Sequence, residues 1–298
     1  MDGIINVYKE QGYTSHDVVA KMRGILRMKK IGHTGTLDPA AEGVLPVCLG
    51  RGTRLCDMLT DKTKTYRAVM LLGQETDTED TTGTIKAEYP VNVTGSEVRA
   101  VCESFIGPYM QIPPMYSALK VNGKKLYELA RAGKEIEREA RPVEIIELVV
   151  ESVDLPRVTM SVTCSKGTYI RTLCYDIGRK LGCGGCMESL LRTRVDRFKL
   201  EDSLKLSEIE ALRDSGELME HIVPVDGIFL GLPKLTMLPG EGDKRVHNGN
   251  PFVPEWAGTE EKLSEVRVYD SEDTFIGIYG YDEEKERYQP HKLFLGGN

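Results

Sequence analysis

The chain is poor in tryptophan (one residue) and phenylalanine (six), and it has no excess of basic residues: 39 Lys and Arg face 46 Asp and Glu, a net charge of −7. A cationic surface covering the whole molecule is therefore excluded, and a polyanion would have to be met by local patches. No apolar run approaches the roughly 20 residues that a membrane-spanning helix requires, so no membrane partner is expected. The opening Met1-Asp2-Gly3-Ile4 carries neither a basic stretch nor a long apolar one, so no secretory leader is expected. Seven cysteines, an odd number scattered among apolar segments, argue for reduced thiols and a cytoplasmic location. No Gly-Lys-Ser or Gly-Lys-Thr follows the glycine loops, which excludes a phosphate-loop nucleotide enzyme. Internal repeats and low-complexity tracts are also missing.

What remains is a globular composition, 40% hydrophobic and 29% charged, on 298 residues. That length predicts one large domain with an appendage. The negative charge is concentrated: residues 241–298 hold 13 acidic and 7 basic side chains, a net of −6, which leaves −1 for the first 240. Two basic runs stand out within those 240. One is Lys21, Arg23, Arg27, Lys29 and Lys30; the other is Arg192, Arg194, Arg197 and Lys199. Either run could be phosphate-binding surface or simply a solvated face.

Periodicity predicts a strand over 3–9, then a helix from Ser15, read as its cap, to Arg27 with Val18, Val19, Met22 and Leu26 on its apolar side. A strand is predicted over 65–73. A helix over 96–106 opens on the capping box Thr94-Gly-Ser-Glu97. Asn122-Gly123 signals a tight turn before a short helix over 126–132. A hairpin is predicted over 143–153 and 157–165, a helix from Ile170 to Leu181, and another helix starting at Ser207. Beyond Asp226 breakers multiply, and short strands are predicted at 252–254, 265–270, 274–280 and 291–295. Strands and helices without regular βαβ alternation predict an α+β class with a mixed, largely antiparallel sheet flanked by helices, followed by a small all-β unit.

The most informative stretch is Gly32-His33-Thr34-Gly35-Thr36-Leu37-Asp38-Pro39, continuing through Ala40, Glu42-Gly43-Val44-Leu45-Pro46 to Gly50-Arg51-Gly52-Thr53-Arg54. Gly32 and Gly35 allow close backbone approach. Pro39 keeps Asp38 out of the helical basin, so one carboxylate sits on stiffened, extended chain. An Asp in such a loop is commonly just a turn residue. The second motif is Ser165-Lys-Gly-Thr-Tyr-Ile-Arg171 with Leu173; on an extended segment Tyr169 and Arg171 would share a face.

Both stretches resemble the signatures of the TruB family of tRNA pseudouridine synthases, G-H-x-G-T-L-D-P-x-A-x-G-V-L-P with G-x-x-T-R, and S-x-G-T-Y-I-R-x-L. Gln111-Ile-Pro-Pro114, Tyr116-Ser-Ala118 and Tyr127-Glu-Leu-Ala-Arg131 extend the likeness over nearly the first 228 residues. Glu10 departs from it where the family usually has proline. The resemblance implies a pseudouridine synthase domain at 1–228 and a PUA-like RNA-binding domain at 229–298. The activity implied is isomerisation of uridine to pseudouridine at position 55 in the T arm of tRNA.

That reaction breaks the N1–C1′ bond, turns the base and rejoins it through C5. No electrons enter or leave, so neither a cofactor nor a metal is expected. The resemblance makes Asp38 the catalytic carboxylate, aimed by Arg171. Tyr66 would lie against the target base, with Tyr169 and Leu190 lining the pocket, and His33 would fill the gap left by the flipped nucleotide. Bland alternatives are a core tyrosine at 66, a core leucine at 190, a hydrogen-bonded loop histidine at 33 and a structural Arg–Asp pair. Cys183-Gly-Gly-Cys186 replaces the family's Gly-x-Gly-Ala; a redox or zinc role is its alternative reading. The T-arm stem-loop of tRNA is the expected partner, for a monomer without an obligate protein partner. A non-catalytic RNA-folding factor and a dyskerin-like subunit of a guide-RNA particle are the competing readings.

Overall fold

The computed structural model describes residues 1–121 and 123–296. Its central strands show how period-two alternation builds two cores at once. Strands Gly3–Lys9 and Glu42–Leu49 pair antiparallel, from Gly3 opposite Leu49 to Lys9 opposite Gly43. Successive side chains point to opposite faces. Ile5, Val7, Leu45, Val47 and Leu49 therefore pack with Val18, Val19 and Met22 of helix Ser15–Leu26 and with Ile209 of helix Leu206–Ser215. Ile4, Val44 and Cys48 pack on the other side with Leu55, Phe229, Ile278 and Phe294. Burial on both faces explains why these strands read as continuous apolar runs.

The main sheet has the order Ile222–Val223, Gly3–Lys9, Glu42–Leu49, Gly185–Val195, Lys64–Leu72, Arg157–Cys164, Arg141–Asp154, Gly107–Gln111. Ile31–His33 joins Glu42–Leu49, and Phe198–Lys199 joins Gly185–Val195. Glu42–Leu49 and Gly185–Val195 meet in parallel, Leu191 opposite Glu42 and Arg192 opposite Gly43, joining two antiparallel halves. Helix Ile170–Lys180 lays Leu173, Cys174 and Ile177 on Ala68, Met70 and Met160, and helix Gly95–Glu103 adds Val98 and Cys102 to the same core. The class is α+β, as the sequence predicts.

Several local expectations are corrected. Thr14, not Ser15, caps the first helix, closing a capping box with Asp17, and Ser15 is buried. Helix Gly95–Glu103 stops short of Ile106. Gly185–Val195, whose mixed residues give no clean alternation, is a long central strand that periodicity misses. The predicted Asn122-Gly123 turn falls partly outside the described residues; Lys120–Val121 and Lys124–Lys125 pair antiparallel around it.

Toward the C-terminus a separate sheet has the order Lys234–Thr236, Glu265–Tyr269, Phe275–Asp282, Arg287–Leu293. Phe252 makes a lone bridge to Tyr288 instead of opening a strand, and Pro254–Ala257 turn as a short 3-10 segment. A short helix, Glu241–His247, follows the Pro239-Gly240 breaker. Phe252, Tyr279 and Tyr288 form the aromatic centre of this unit, and Ile278 and Phe294 attach it to the back of the main sheet.

Candidate active site

The loop between Ile31–His33 and Glu42–Leu49 carries Asp38 and is tied down along its backbone. Gly35 holds φ +137°, a conformation that favours glycine. The Leu37 N–H donates to Ser15 Oγ at 2.9 Å, and the Ser15 hydroxyl donates back to the Leu37 carbonyl at 3.4 Å. The Gly12 N–H donates to the Pro39 carbonyl at 2.8 Å. Beneath the loop the buried Lys9 ammonium donates to the carbonyls of Ala41 (2.5 Å) and Pro39 (3.4 Å). Burial, reinforced by the charge of Arg192, lowers the Lys9 pKa to about 8. Ser15 and Lys9 are thus site-building residues that sequence reasoning missed. The available signal was a lysine at the end of an apolar strand.

Arg171 is only 4% exposed, whereas Asp38 is 38% exposed, so the guanidinium is the buried partner and the carboxylate the accessible one. Arg171 Nε donates to Asp38 Oδ2 at 2.9 Å, Nη1 to the Thr78 carbonyl at 2.9 Å and Nη2 to the Tyr116 carbonyl at 2.8 Å. Asp80 lies 3.8 Å away as a second anion. Two rigid carbonyls therefore fix the fork, and the third edge aims at Asp38. Arg171 stands in the first turn of helix Ile170–Lys180 and Tyr169 caps it, so these two side chains do not share an extended face as the spacing predicts. The backbone of Tyr169 is instead clamped by buried Gln111. The Tyr169 N–H donates to Gln111 Oε1 at 2.8 Å, and Gln111 Nε2 donates to the Tyr169 carbonyl at 3.0 Å.

Tyr66, on strand Lys64–Leu72, is buried in one cluster with Leu37, Ala41, Ile170 and Leu190. Burial raises the Tyr66 pKa; the Arg192 guanidinium opposes this and Asp38 adds to it. Burial also raises Tyr169, with Asp38 acting in the same direction and Arg171 against it. Both phenols therefore sense the Asp38 charge. His33 Nδ1 accepts the Gly35 N–H at 3.3 Å, and the His33 ring meets His16 edge-on at a centroid distance of 5.3 Å. Burial, then the neighbouring His16 and Arg192, lowers the His33 pKa. The structure thus gathers Asp38, Tyr66, Tyr169, Arg171 and Leu190 about one loop, with His33 on its rim.

Of the two basic runs only one member, Arg192, is buried; Arg194, Arg197 and Lys199 are exposed. Lys21, Arg23, Arg27, Lys29 and Lys30 are exposed, on and just after the helix that carries His16. Arg192, in contrast, is 1% exposed and bonded inside the molecule. Cys183 and Cys186 are buried as free thiols, and Cys186 Sγ accepts from Gln74 Nε2 at 3.4 Å.

A cavity of about 690 Å³ borders the same turn but belongs to other residues, among them Glu79, Tyr116, Thr172 and Asp176. Burial raises Glu79 to about 7, the Thr172 hydroxyl that donates to it opposing the shift, and burial raises Asp176 to about 6. A carboxyl whose pKa rises on folding stabilises the fold fully below its unfolded pKa, and that contribution is lost as pH climbs through the folded value. Stability is therefore expected to decline between about pH 4.5 and 7 through Glu79, by up to about 3 kcal/mol. In Glu79→Gln the decline should flatten to the Asp176 share, as measured by urea unfolding at several pH values. An unchanged slope would rule Glu79 out as its source.

Known proteins resemble this chain in both sequence and fold. The sequence model for the TruB family pseudouridylate synthase N-terminal domain matches residues 23–170, and that for the tRNA pseudouridylate synthase B C-terminal domain matches residues 171–229. The chain is 54% identical to tRNA pseudouridine synthase B of Lachnoclostridium phytofermentans, over 99% of this chain and 100% of that one. It is 49% identical to the Clostridium tetani protein of that name, again over 99% and 100%. Among solved structures, a Cbf5-Nop10-Gar1 complex matches with a TM-score of 0.70 at 27% identity, over 98% of this chain and 85% of that one. With its sheet in agreement with the solved likeness and both sequence models matched, the chain belongs to the TruB family of pseudouridylate synthases.

Proposed function

We propose that this enzyme converts uridine to pseudouridine at position 55 in the T arm (TΨC loop) of tRNA. The observation that carries the reading is the Arg171–Asp38 pair, a buried and doubly anchored guanidinium that presents an accessible carboxylate beside two tyrosines. The relatives' shared name, tRNA pseudouridine synthase B, supports tRNA as the substrate.

The target base is stacked within the folded T loop, so it must be extruded, at a cost of roughly a few kcal/mol. His33, on the rim beside the exposed Lys21–Lys30 run, fills the gap, and the basic side chains hold phosphates. The extruded uracil lies against the Tyr66 ring, a contact worth ~1–3 kcal/mol, with Tyr169 and Leu190 closing the pocket. Asp38 then drives rupture of N1–C1′, as nucleophile toward C1′ or C6 or as counter-charge to a cationic sugar. The freed base turns within the pocket, C5 bonds to C1′, the hydrogen on C5 departs and N1 gains one. In this reading Tyr66 moves that proton. Product and substrate are isomers, so these steps call for no cofactor. Residues 1–228 form the catalytic unit and 229–298 a PUA-like RNA-binding domain, in a cytoplasmic monomer.

The test is purified protein with a T-arm RNA hairpin and no other component, read by mass spectrometry after pseudouridine-specific derivatisation. Modification at position 55 alone is expected. An unmodified hairpin would overturn the reading. Modification only after guide RNA or protein is added would favour a dyskerin-like subunit, the reading suggested by the Cbf5 likeness.

A further inference from the structure

Arg192 is the largest fully buried side chain of the described residues, and no carboxylate pairs with it among them. A buried guanidinium is costly unless its N–H groups are met. Here they are met by peptide carbonyls. Nε donates to Val44 at 2.7 Å, Nη1 to Thr36 at 3.4 Å and Nη2 to Gly35 at 3.4 Å. Two of these acceptors belong to the loop that ends in Asp38, and the third to the strand the loop feeds.

The same residue sits opposite Tyr66 on the neighbouring strand, and its guanidinium opposes, without cancelling, the upward push of burial on that phenol. Arg192 also stands opposite Gly43 across the parallel pairing. A Cβ at Gly43 would lie 2.3 Å from the Arg192 carbonyl, and Gly43 holds φ +107°. The backbones are thus pressed together at the point where the guanidinium crosses from Tyr66 to the loop.

We propose that Arg192 is a positioning residue that locks the Asp38 loop and the Tyr66 side chain into one frame, by spanning three loop and strand carbonyls from the strand that faces Tyr66. An isolated structural cation would need only acceptors; this one draws two of them from the loop that carries Asp38, and it does so from a strand position paired directly with Tyr66. A lysine cannot do the same, because a single ammonium on a flexible stem cannot reach three carbonyls spread across a planar fork.

The inference rests on the proposed reaction, and wild-type conversion of the T-arm hairpin is its control. If wild type is inert, the proposed function fails first. With wild type active, Arg192→Lys and Arg192→Met are compared with it in single-turnover kinetics, hairpin affinity and hydrogen exchange. The expected result is a rate constant reduced ~100-fold, the cost of about 1 Å of misplacement, with affinity within about threefold because phosphate contacts lie elsewhere. Faster amide exchange is expected in residues 35–41 while the 265–293 strands stay unchanged. Arg192→Lys, the milder change, decides the matter if Arg192→Met does not fold. Wild-type turnover in Arg192→Lys, or a rate loss without faster exchange in the loop, would overturn the proposal.

Discussion

Asp38→Asn is expected to fold, to hold the T-arm hairpin with wild-type affinity and to form no detectable pseudouridine. The substitution is isosteric at a side chain already 38% exposed, and the amide oxygen can still accept from Arg171 Nε. Arg171 is not stranded, because it keeps the Thr78 and Tyr116 carbonyls and has Asp80 at 3.8 Å. The stability change should therefore stay within about 1.5–3 kcal/mol, the scale of a single hydrogen bond to a charged group. Affinity should persist, since the exposed run Lys21–Lys30 is untouched. What disappears is the negative oxygen that cleavage of N1–C1′ requires, and removing such a group costs roughly 10⁴-fold or more. Thermal unfolding, a binding titration and derivatisation mass spectrometry on one preparation would check all three. Normal modification by the variant would end the case for Asp38.

Arg171 carries the second large effect, and here stability and activity should fall together. Arg171→Met leaves the Thr78 and Tyr116 carbonyls without their donor in a site only 4% exposed. Leaving buried acceptors unmet costs roughly 1–3 kcal/mol each, so a loss of about 3 kcal/mol is expected. Turnover should fall ~10³-fold, because the carboxylate loses both its aim and the preorganised charge behind it. Arg171→Lys separates the two contributions. It restores a positive charge but not the fork, so it should recover much of the stability and leave turnover down ~100-fold. Urea unfolding with single-turnover kinetics would measure this. Wild-type turnover in Arg171→Lys would mean that geometry at the pair is immaterial.

The site was legible where its chemistry lies in contiguous chain. Gly35 to Pro39 requires glycine for one backbone angle and proline to exclude a helix, and both requirements act within a few residues. The motif ending in Arg171 was readable through its resemblance to the family's, although its local conformation was not: the helix begins one residue before Arg171 because Leu173, Cys174 and Ile177 find a core beneath them. Ser15 has the composition of a cap, yet Thr14 takes that role and Ser15 turns inward to Leu37, 22 residues away. Arg192 sits in a run of basic residues, and nothing local separates it from its exposed neighbour Arg194.

By itself the sequence determined the chemical inventory: one carboxylate on a stiffened glycine loop, one arginine and two tyrosines at fixed spacings, an α+β class and an acidic terminal stretch. The stiffened loop and the class follow from backbone sterics and side-chain periodicity, which act over a few residues; the arginine and the two tyrosines were singled out by the resemblance of their motifs to the family's. Only the tertiary structure decided which charges are buried, which of Asp38 and Arg171 faces solvent, and that Lys9, Ser15, Gln111 and Arg192 brace the site. Those outcomes depend on which strands become neighbours, and the parallel meeting of Glu42–Leu49 with Gly185–Val195 joins residues some 150 positions apart. Desolvation and hydrogen-bond partners are set by that meeting, and no local pattern encodes it.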